Sequence, residues 1–99
     1  MNTKISNLAT VKRAREQISC DLAGEVIILS FKSDTYYGLD GIGALVWNLI
    51  EKPKTLAEIY NSIMDKYLVE SEHLENDLMT LLEGLTKQEL VEVNNEIIE

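Results

Sequence analysis

The sequence contains few of the side chains from which enzymes build active sites. Its 99 residues include one cysteine and one histidine. A lone cysteine excludes an internal disulfide and indicates a reducing, cytoplasmic environment. Cys20 and His73 are also too few for a structural zinc site, which takes four such ligands. We therefore expect no metal, no cofactor and no catalytic residues, and so a protein that is not an enzyme.

Long apolar runs are missing as well. No stretch of 18 consecutive apolar residues occurs, and a membrane-spanning helix needs about that many. The first residues, MNTKISNLATVKR, have no apolar core of the kind that a secretory signal requires. We expect no membrane partner. The chain length predicts one domain, which we place at residues 11–95 behind a polar tail at residues 1–10.

Basic residues are scarce beyond position 15. Residues 1–15 contain four basic and no acidic side chains, whereas the rest of the chain contains five basic and 17 acidic ones. The formal net charge is −8. Nucleic acids are bound by lysine and arginine, which replace the counterions of the phosphates. The charge therefore predicts no nucleic-acid partner. It suits a basic partner, although most acidic surfaces serve only solubility.

The remaining candidates for chemistry have ordinary structural explanations. Cys20 lies among the apolar residues of an alternating stretch, which predicts that it packs in the core. His73 lies in the polar segment ESEHLEND and is expected to be exposed. The glycines of GLDGIG, residues 38–43, lack the spacing of a phosphate-binding loop. They indicate instead a strand end followed by a tight entry into a helix.

The sequence does contain the pattern of a small sheet. Ile18, Cys20 and Leu22 alternate with polar residues, as in a strand with one buried face. Residues 25–31, EVIILSF, form the clearest strand because they are mostly β-branched or bulky and apolar. The turn signals AGE and KSDT enclose this strand, and TYYGL, residues 35–39, follows as a return strand. Such short connections predict an antiparallel meander.

The two tyrosines of the return strand are adjacent, so they must lie on opposite faces of the sheet. Tyr37 shares its face with Leu39 and is expected to pack on the helices. Tyr36 then faces away, with Gly38 beside it.

From Asp40 onward the apolar period becomes that of helices. Asp40 is the expected N-cap of the first helix, Thr55 and Glu58 form a capping box for the second, and Ser71 is the expected cap of the third. Trp47, at the edge of the first apolar stripe, is expected to anchor the core. The three predicted stripes are Ile42, Leu45, Val46, Leu49 and Ile50; Leu56, Ile59, Tyr60, Ile63, Met64 and Tyr67; and Leu74, Leu78, Leu81, Leu82 and Leu85.

The order of the elements predicts the fold class. Strands followed by helices indicate an α+β fold, in which a three-stranded antiparallel sheet is followed by a three-helix bundle on one side of it. Residues 88–94, QELVEVN, fit either a short final strand or the end of the third helix.

The return strand is the candidate functional element. If the strand order follows the chain, residues 35–39 form an outer strand with unpaired backbone donors and acceptors. An uncovered edge beside an apolar helix is suited to β-augmentation, in which a peptide adds as a further strand.

These segments together resemble a known family. GEVIILSFKSDTYYGLDGIGALVWNLI, with the later HLENDLMTLLEGLTKQELVEV, is similar to the PqqD-like domains that recognise ribosomally made, post-translationally modified peptides. The resemblance covers about residues 11–93. Its most specific part is YYGLDGIGALVW, which is similar to the family's aromatic–x–Leu–Asn/Asp–x–x–Gly entry into the first helix, with Asp40 where Asn is common. The chain is most similar to the stand-alone recognition proteins of split lasso-peptide systems.

The resemblance implies a winged-helix-like fold and a binding function. In this family the leader of a precursor peptide lies antiparallel along the third strand, in a cleft closed by the third helix. The implied partners are this leader peptide, a separate leader peptidase that is a cysteine protease, and a macrolactam-forming cyclase. We favour Tyr36 near the guest and Tyr37 in the core. The peptide-binding residues implied by position are Thr35, Tyr36, Tyr37, Gly38, Leu39, Glu75, Asp77, Leu78, Met79 and Leu82.

Two other functions fit the sequence less well. A winged-helix DNA-binding transcriptional regulator is the main alternative, but Lys66 is the only basic residue between positions 56 and 86. An acidic carrier protein would need a serine in an Asp-Ser-Leu motif, and the sequence has none.

Overall fold

A computed structural model of the protein describes residues 8–66 and 71–94. The predicted α+β class is confirmed. In chain order the elements are β1 (Thr10–Arg13), β2 (Gln17–Leu22), β3 (Glu25–Ser30), β4 (Thr35–Leu39), α1 (Gly41–Leu49), β5 (Lys54–Thr55), α2 (Leu56–Lys66), α3 (Ser71–Lys87) and β6 (Val91–Asn94).

The predicted meander is present as the antiparallel sheet β2-β3-β4. Ile28 in the central strand pairs with Ser19 on one side and with Tyr37 on the other. The β2–β3 hairpin turns at Ala23 and Gly24, which both have positive φ. Two positive φ values are typical of the tight turn whose twist matches that of the flanking strands.

A second three-stranded sheet, of order β5-β1-β6, was not predicted. Strand β1 pairs antiparallel with both β5 and β6. Residues 91–94 therefore form the final strand, one of the two predicted alternatives. The tail expected at residues 1–10 lies largely outside the described residues, but Ala9 is buried and Thr10 begins β1. Strand β1 was not predicted because its sequence, TVKR, has a single apolar residue.

The helices cover the inner face of the meander and complete one core. The Thr55–Glu58 capping box is confirmed, since each backbone N–H donates to the other residue's side-chain oxygen, at 2.8 and 3.2 Å. Asp40 occupies the N-cap position of α1, but its side chain makes no capping hydrogen bond. Two predictions fall outside the part of the chain that is described: Tyr67 in the second apolar stripe, and the side chain of Ser71 as the cap of the third helix. The helices contribute the buried apolar residues Ala44, Val46, Trp47, Leu56, Ile59, Ile63, Leu74, Leu78, Leu82 and Leu85. Ile50, which follows α1, is buried as well.

The buried face of α1 is rotated relative to the predicted stripe. Trp47, expected at the edge of that stripe, has none of its surface exposed. Ile42, Leu45 and Leu49, expected inside, are only half-buried. The indole is the largest side chain of the core, so turning it inward buries the most apolar surface.

The prediction that Cys20 packs in the core is wrong. Cys20 is exposed, as are its strand neighbours Ile18 and Leu22. The inner face of β2 instead presents Ser19, whose Oγ accepts a hydrogen bond from Nε1 of Trp47 at 2.9 Å. A buried indole N–H needs an acceptor. Ser19, one of the polar residues that alternate along β2, provides it.

Arg13 connects β1 to α1. Its Nε and Nη2 donate to the carbonyl oxygen of Trp47 at 3.1 and 2.7 Å. The guanidinium carbon also lies 4.6 Å from the centroid of the Trp47 ring, within the range of a cation–π contact. Burial lowers the pKa of the Arg13 guanidinium. These contacts join the second sheet to the core beneath the meander.

Candidate functional site

Strand β4 is an outer strand of the meander. Within residues 8–66 and 71–94 it pairs with β3 alone. Alternate N–H and C=O groups along Thr35–Leu39 therefore point away from the sheet. The edge predicted from the sequence is present at the predicted residues.

The side chains of β4 divide between the two faces as predicted. Tyr37 and Leu39 are half-buried and pack against the core. The hydroxyl of Tyr37 donates to Oε1 of Gln88 at 3.0 Å. Tyr36 lies on the opposite face with 73% of its surface exposed. The hydrogen bond of Tyr37 thus connects the edge strand to Gln88, which follows α3. The exposed Tyr36 is available for contact with another molecule.

Three elements meet beside this edge, at Gly43 of α1. A Cβ atom at Gly43 would lie 3.5 Å from Cδ2 of Leu39 and 3.7 Å from Cδ1 of Leu81. Leu39 on β4 and Leu81 on α3 therefore approach each other over a residue that has no side chain. We call the surface formed by Tyr37, Leu39, Gly43, Leu81 and Gln88 the β4–α3 seam.

The two flanks of α3 face different neighbours. Residues four apart in a helix share a flank, which places the exposed Asp77 beside Leu81 at the seam. Glu75 and Met79 share the other flank. They line a cavity of about 230 Å³ whose further lining residues are Leu56, Ala57, Tyr60, Asn61 and Leu78.

The residues predicted to bind a peptide thus fall into three groups. Thr35–Leu39 and Asp77 border the seam or its edge strand. Leu78 and Leu82 are 2% and 0% exposed and belong to the core. Glu75 and Met79 lie toward α2. Gly43 and Gln88 were not predicted as residues of the seam, and Leu81 was predicted only as a core residue.

An exposed ion pair lies at one end of the seam. Lys32, in the turn between β3 and β4, donates from Nζ to Oε1 of Glu89 just beyond Gln88. This hydrogen bond, together with the charge of Glu89, raises the pKa of Lys32. Both side chains are 60% exposed, so the pair contributes little to stability. It does connect the turn before β4 to the segment after α3.

The site offers binding groups more than reactive ones. Among the described residues, no group of three His, Cys, Asp or Glu side chains is placed to hold a metal ion. None of the helices in the described part of the chain has the length and apolar character to span a bilayer. The seam provides backbone hydrogen-bonding groups and apolar side chains, and the neighbouring Asp77 adds a carboxylate. These are groups that recognise an extended peptide.

An open strand edge beside a helix flank, built on a small α+β core, defines a domain suited to strand addition. The family model of coenzyme PQQ synthesis protein D (PqqD) matches residues 25–91. This match spans more than half of the chain, and the protein belongs to the PqqD family. No curated protein matches the sequence.

Two solved structures share the fold. The first is TbiB1 in complex with the TbiA(beta) leader peptide, which is 34% identical with a TM-score of 0.77 and covers 82% of this chain and 94% of its own. The second is a lasso peptide synthetase B1 complexed with the leader peptide, with a TM-score of 0.71 over 83% of this chain and 96% of its own. At 19% identity, the second comparison supports the fold alone.

Proposed function

We propose that this protein binds the leader region of a ribosomally made precursor peptide, of the lasso-peptide class, by strand addition to β4. The observation that carries the proposal is the open β4 edge, with Leu39 and Leu81 both lying close to Gly43 beside it. The relative TbiB1, 34% identical, was solved in complex with a leader peptide. That relation supports the same class of guest here.

The geometry of β4 divides the contacts of the guest between the two faces. Guest side chains that point inward meet Leu39 and Leu81 at the seam, and those that point outward lie beside Tyr36. Burying one large apolar guest side chain contributes about 1.5–3 kcal/mol. A guest lysine paired with the exposed Asp77 contributes about 0–1 kcal/mol. Apolar residues of the leader therefore dominate the affinity.

The predicted helix residues have different parts in this proposal. Asp77 contacts the guest directly. Leu78 and Leu82 act from the core by holding α3 against the sheet, because almost none of their surface is exposed. Glu75 and Met79 reach a guest only where it extends over the flank that faces α2.

The proposed role is presentation without chemistry. The protein holds the leader in the cytoplasm while a separate leader peptidase, a cysteine protease, and a macrolactam-forming cyclase act on the precursor. A seam made of backbone groups and apolar side chains supports binding but provides no nucleophile with its base.

Calorimetric titration with the cognate leader peptide tests the proposal, using leaders N-methylated at successive positions of the bound segment. Backbone N–H groups of an added strand alternate between pointing at β4 and pointing away. Methylation of an N–H that points at β4 removes a hydrogen bond and is expected to weaken leader binding by about tenfold or more. Methylation of the next residue leaves the ladder intact and serves as the control.

Two results would contradict the proposal. If the unmodified leader does not bind at micromolar concentrations of the protein, the leader peptide is not its ligand. If the effect of methylation does not alternate from one residue to the next, the peptide does not bind by strand addition.

A further inference from the structure

Helix α3 contains a glycine on the flank that faces the peptide-binding edge. Gly84 lies in the last two turns of the helix and is exposed. Asp77, Leu81, Gly84 and Gln88 follow one another at intervals of four, three and four residues, and residues at this spacing share one flank. Gly84 therefore lies on the same flank as Leu81 and Gln88, the two residues by which α3 and its end border the β4–α3 seam.

The free protein has no structural need for a glycine at this position. Gly84 has the negative φ of an ordinary helical residue, and its carbonyl oxygen accepts a hydrogen bond from the N–H of Gln88 at 3.0 Å. A Cβ atom added to Gly84 would have no neighbour within 4 Å beyond its own stretch of helix. Glycine inside a helix is less stable than alanine. The residue thus lowers stability without easing a turn or a close contact within the protein.

Gly84 lies between the two places where α3 approaches the sheet. In one direction, Leu81 lies at the seam close to Gly43. In the other, Gln88 accepts the hydrogen bond of the Tyr37 hydroxyl at 3.0 Å. At 1.5 Å per residue, these two positions are about 10 Å apart along the helix. We call the space left between them by the missing side chain the Gly84 opening.

Strand addition directs side chains of the guest toward this opening. An added strand lies about 4.8 Å from β4. The guest residues directly opposite Tyr37 and Leu39 carry their side chains on the same face as those two residues. That face is turned toward α3, because Tyr37 and Leu39 both pack against the core. Glycine is favoured where a ligand must approach the backbone closely.

We propose that Gly84 determines the size of the leader residue that binds beside α3, by leaving room for one large apolar side chain. Leu81 and the ring of Tyr37 border the opening and provide apolar contacts for that side chain. A small leader residue would leave the space unfilled and lose these contacts. The inference rests on the proposed function and adds to it a residue of this chain that selects among leaders.

The experiment combines protein variants with variants of the cognate leader. Calorimetric titration measures the affinity of the wild type, Gly84→Ala, Gly84→Leu and Asn76→Leu for the unmodified leader. The same titrations are repeated with leaders in which each residue of the bound segment is replaced in turn by alanine. Asn76→Leu is the matched control, because Asn76 is exposed on the side of α3 that points away from the core. Thermal unfolding of each protein is followed by circular dichroism.

Stability and affinity are expected to change in opposite directions at Gly84. Both substitutions are expected to raise Tm by about 2–8 °C, because alanine and leucine are better helix formers than glycine. Leader binding is expected to weaken by about threefold or more in Gly84→Ala and by about tenfold or more in Gly84→Leu, because the added side chain takes the space of the guest. Asn76→Leu is expected to keep the affinity within about twofold of the wild type.

The leader variants distinguish selection by size from a general loss of binding. In the wild type, alanine at the residue that enters the Gly84 opening is expected to weaken binding by about tenfold or more. In Gly84→Leu the same leader change is expected to cost about twofold or less, because two changes at one contact are not additive. Additive losses for every leader would overturn the inference.

The failure of the inference differs from the failure of the proposed function. If Gly84→Leu, or Asn76→Leu and Gly84→Leu equally, bound the unmodified leader as tightly as the wild type does, Gly84 would have no part in selecting the guest, and the proposed function would stand. If the wild type bound none of the leaders, the proposed function would be contradicted and this inference with it.

Discussion

At the scale of single residues, the environment of Trp47 decides which way β2 faces. The indole is fully buried, and its N–H donates to Ser19. A polar residue is therefore required on the inner face of β2, and the alternating apolar residues are turned outward. Periodicity alone gives the spacing of a strand's two faces but not which of them meets the core.

Replacing Ser19 by alanine is expected to lower the free energy of unfolding by about 1–3 kcal/mol, because the indole N–H loses its partner in a buried site. Cys20→Ser, one residue along and on the exposed face, is the matched control and is expected to change it by less than about 0.5 kcal/mol. Urea unfolding followed by tryptophan fluorescence measures both. A larger loss for Cys20→Ser than for Ser19→Ala would contradict the orientation of β2.

At the scale of elements, α3 has one buried face and two flanks with different neighbours. Leu81 lies near Gly43 with Leu39 beside the β4 edge, and Met79 lines the cavity toward α2. Both side chains are half-buried. The flanks are equivalent in the sequence pattern, since each is an extension of the same leucine stripe.

Aspartate at each of these positions separates the two flanks. Leu81→Asp is expected to weaken leader binding by about tenfold or more, because it places a charge where apolar guest side chains are buried. Met79→Asp is expected to keep the affinity within about twofold while costing similar stability. Leader titration and urea unfolding of the two variants provide the comparison. A stronger loss of binding for Met79→Asp would move the guest to the flank that faces α2.

At the scale of the whole molecule, two small sheets share one set of helices. The meander presents the binding edge, and the sheet β5-β1-β6 gathers the start, middle and end of the described chain. Arg13 joins this second sheet to α1 through two hydrogen bonds and the face of Trp47. The contact links β1 to the fully buried Trp47, so its loss is expected to affect both sheets.

Arg13→Lys is expected to destabilise the protein by about 1–2 kcal/mol, because lysine keeps the charge but loses the fork geometry and the stacking. Lys12→Gln on the same strand is the control. Lys12 forms an exposed ion pair with Glu92 at 3.6 Å, and its loss is expected to cost no more than about 1 kcal/mol. Thermal unfolding followed by circular dichroism tests the pair. Unchanged stability in Arg13→Lys would show that Arg13 contributes through charge alone.

Local features of the sequence were sufficient for most of the architecture. The strands of the meander, the helix start after Asp40 and the Thr55–Glu58 capping box all depend on residues close together in the chain, and they formed where predicted. The position of the β4 edge followed from the order of short connections. These features are specified locally because turn chemistry, capping and periodicity act over a few residues.

Only the tertiary structure decided the rest. Strand β1 exists because β5 and β6, both distant in the sequence, pair with it. The outward turn of Ile18, Cys20 and Leu22 follows from the demand of one buried indole. The approach of Leu81 to Leu39 depends on how α3 packs over Gly43. Each of these depends on contacts between residues far apart in the chain, and hydrophobic periodicity does not specify which neighbour an apolar face meets.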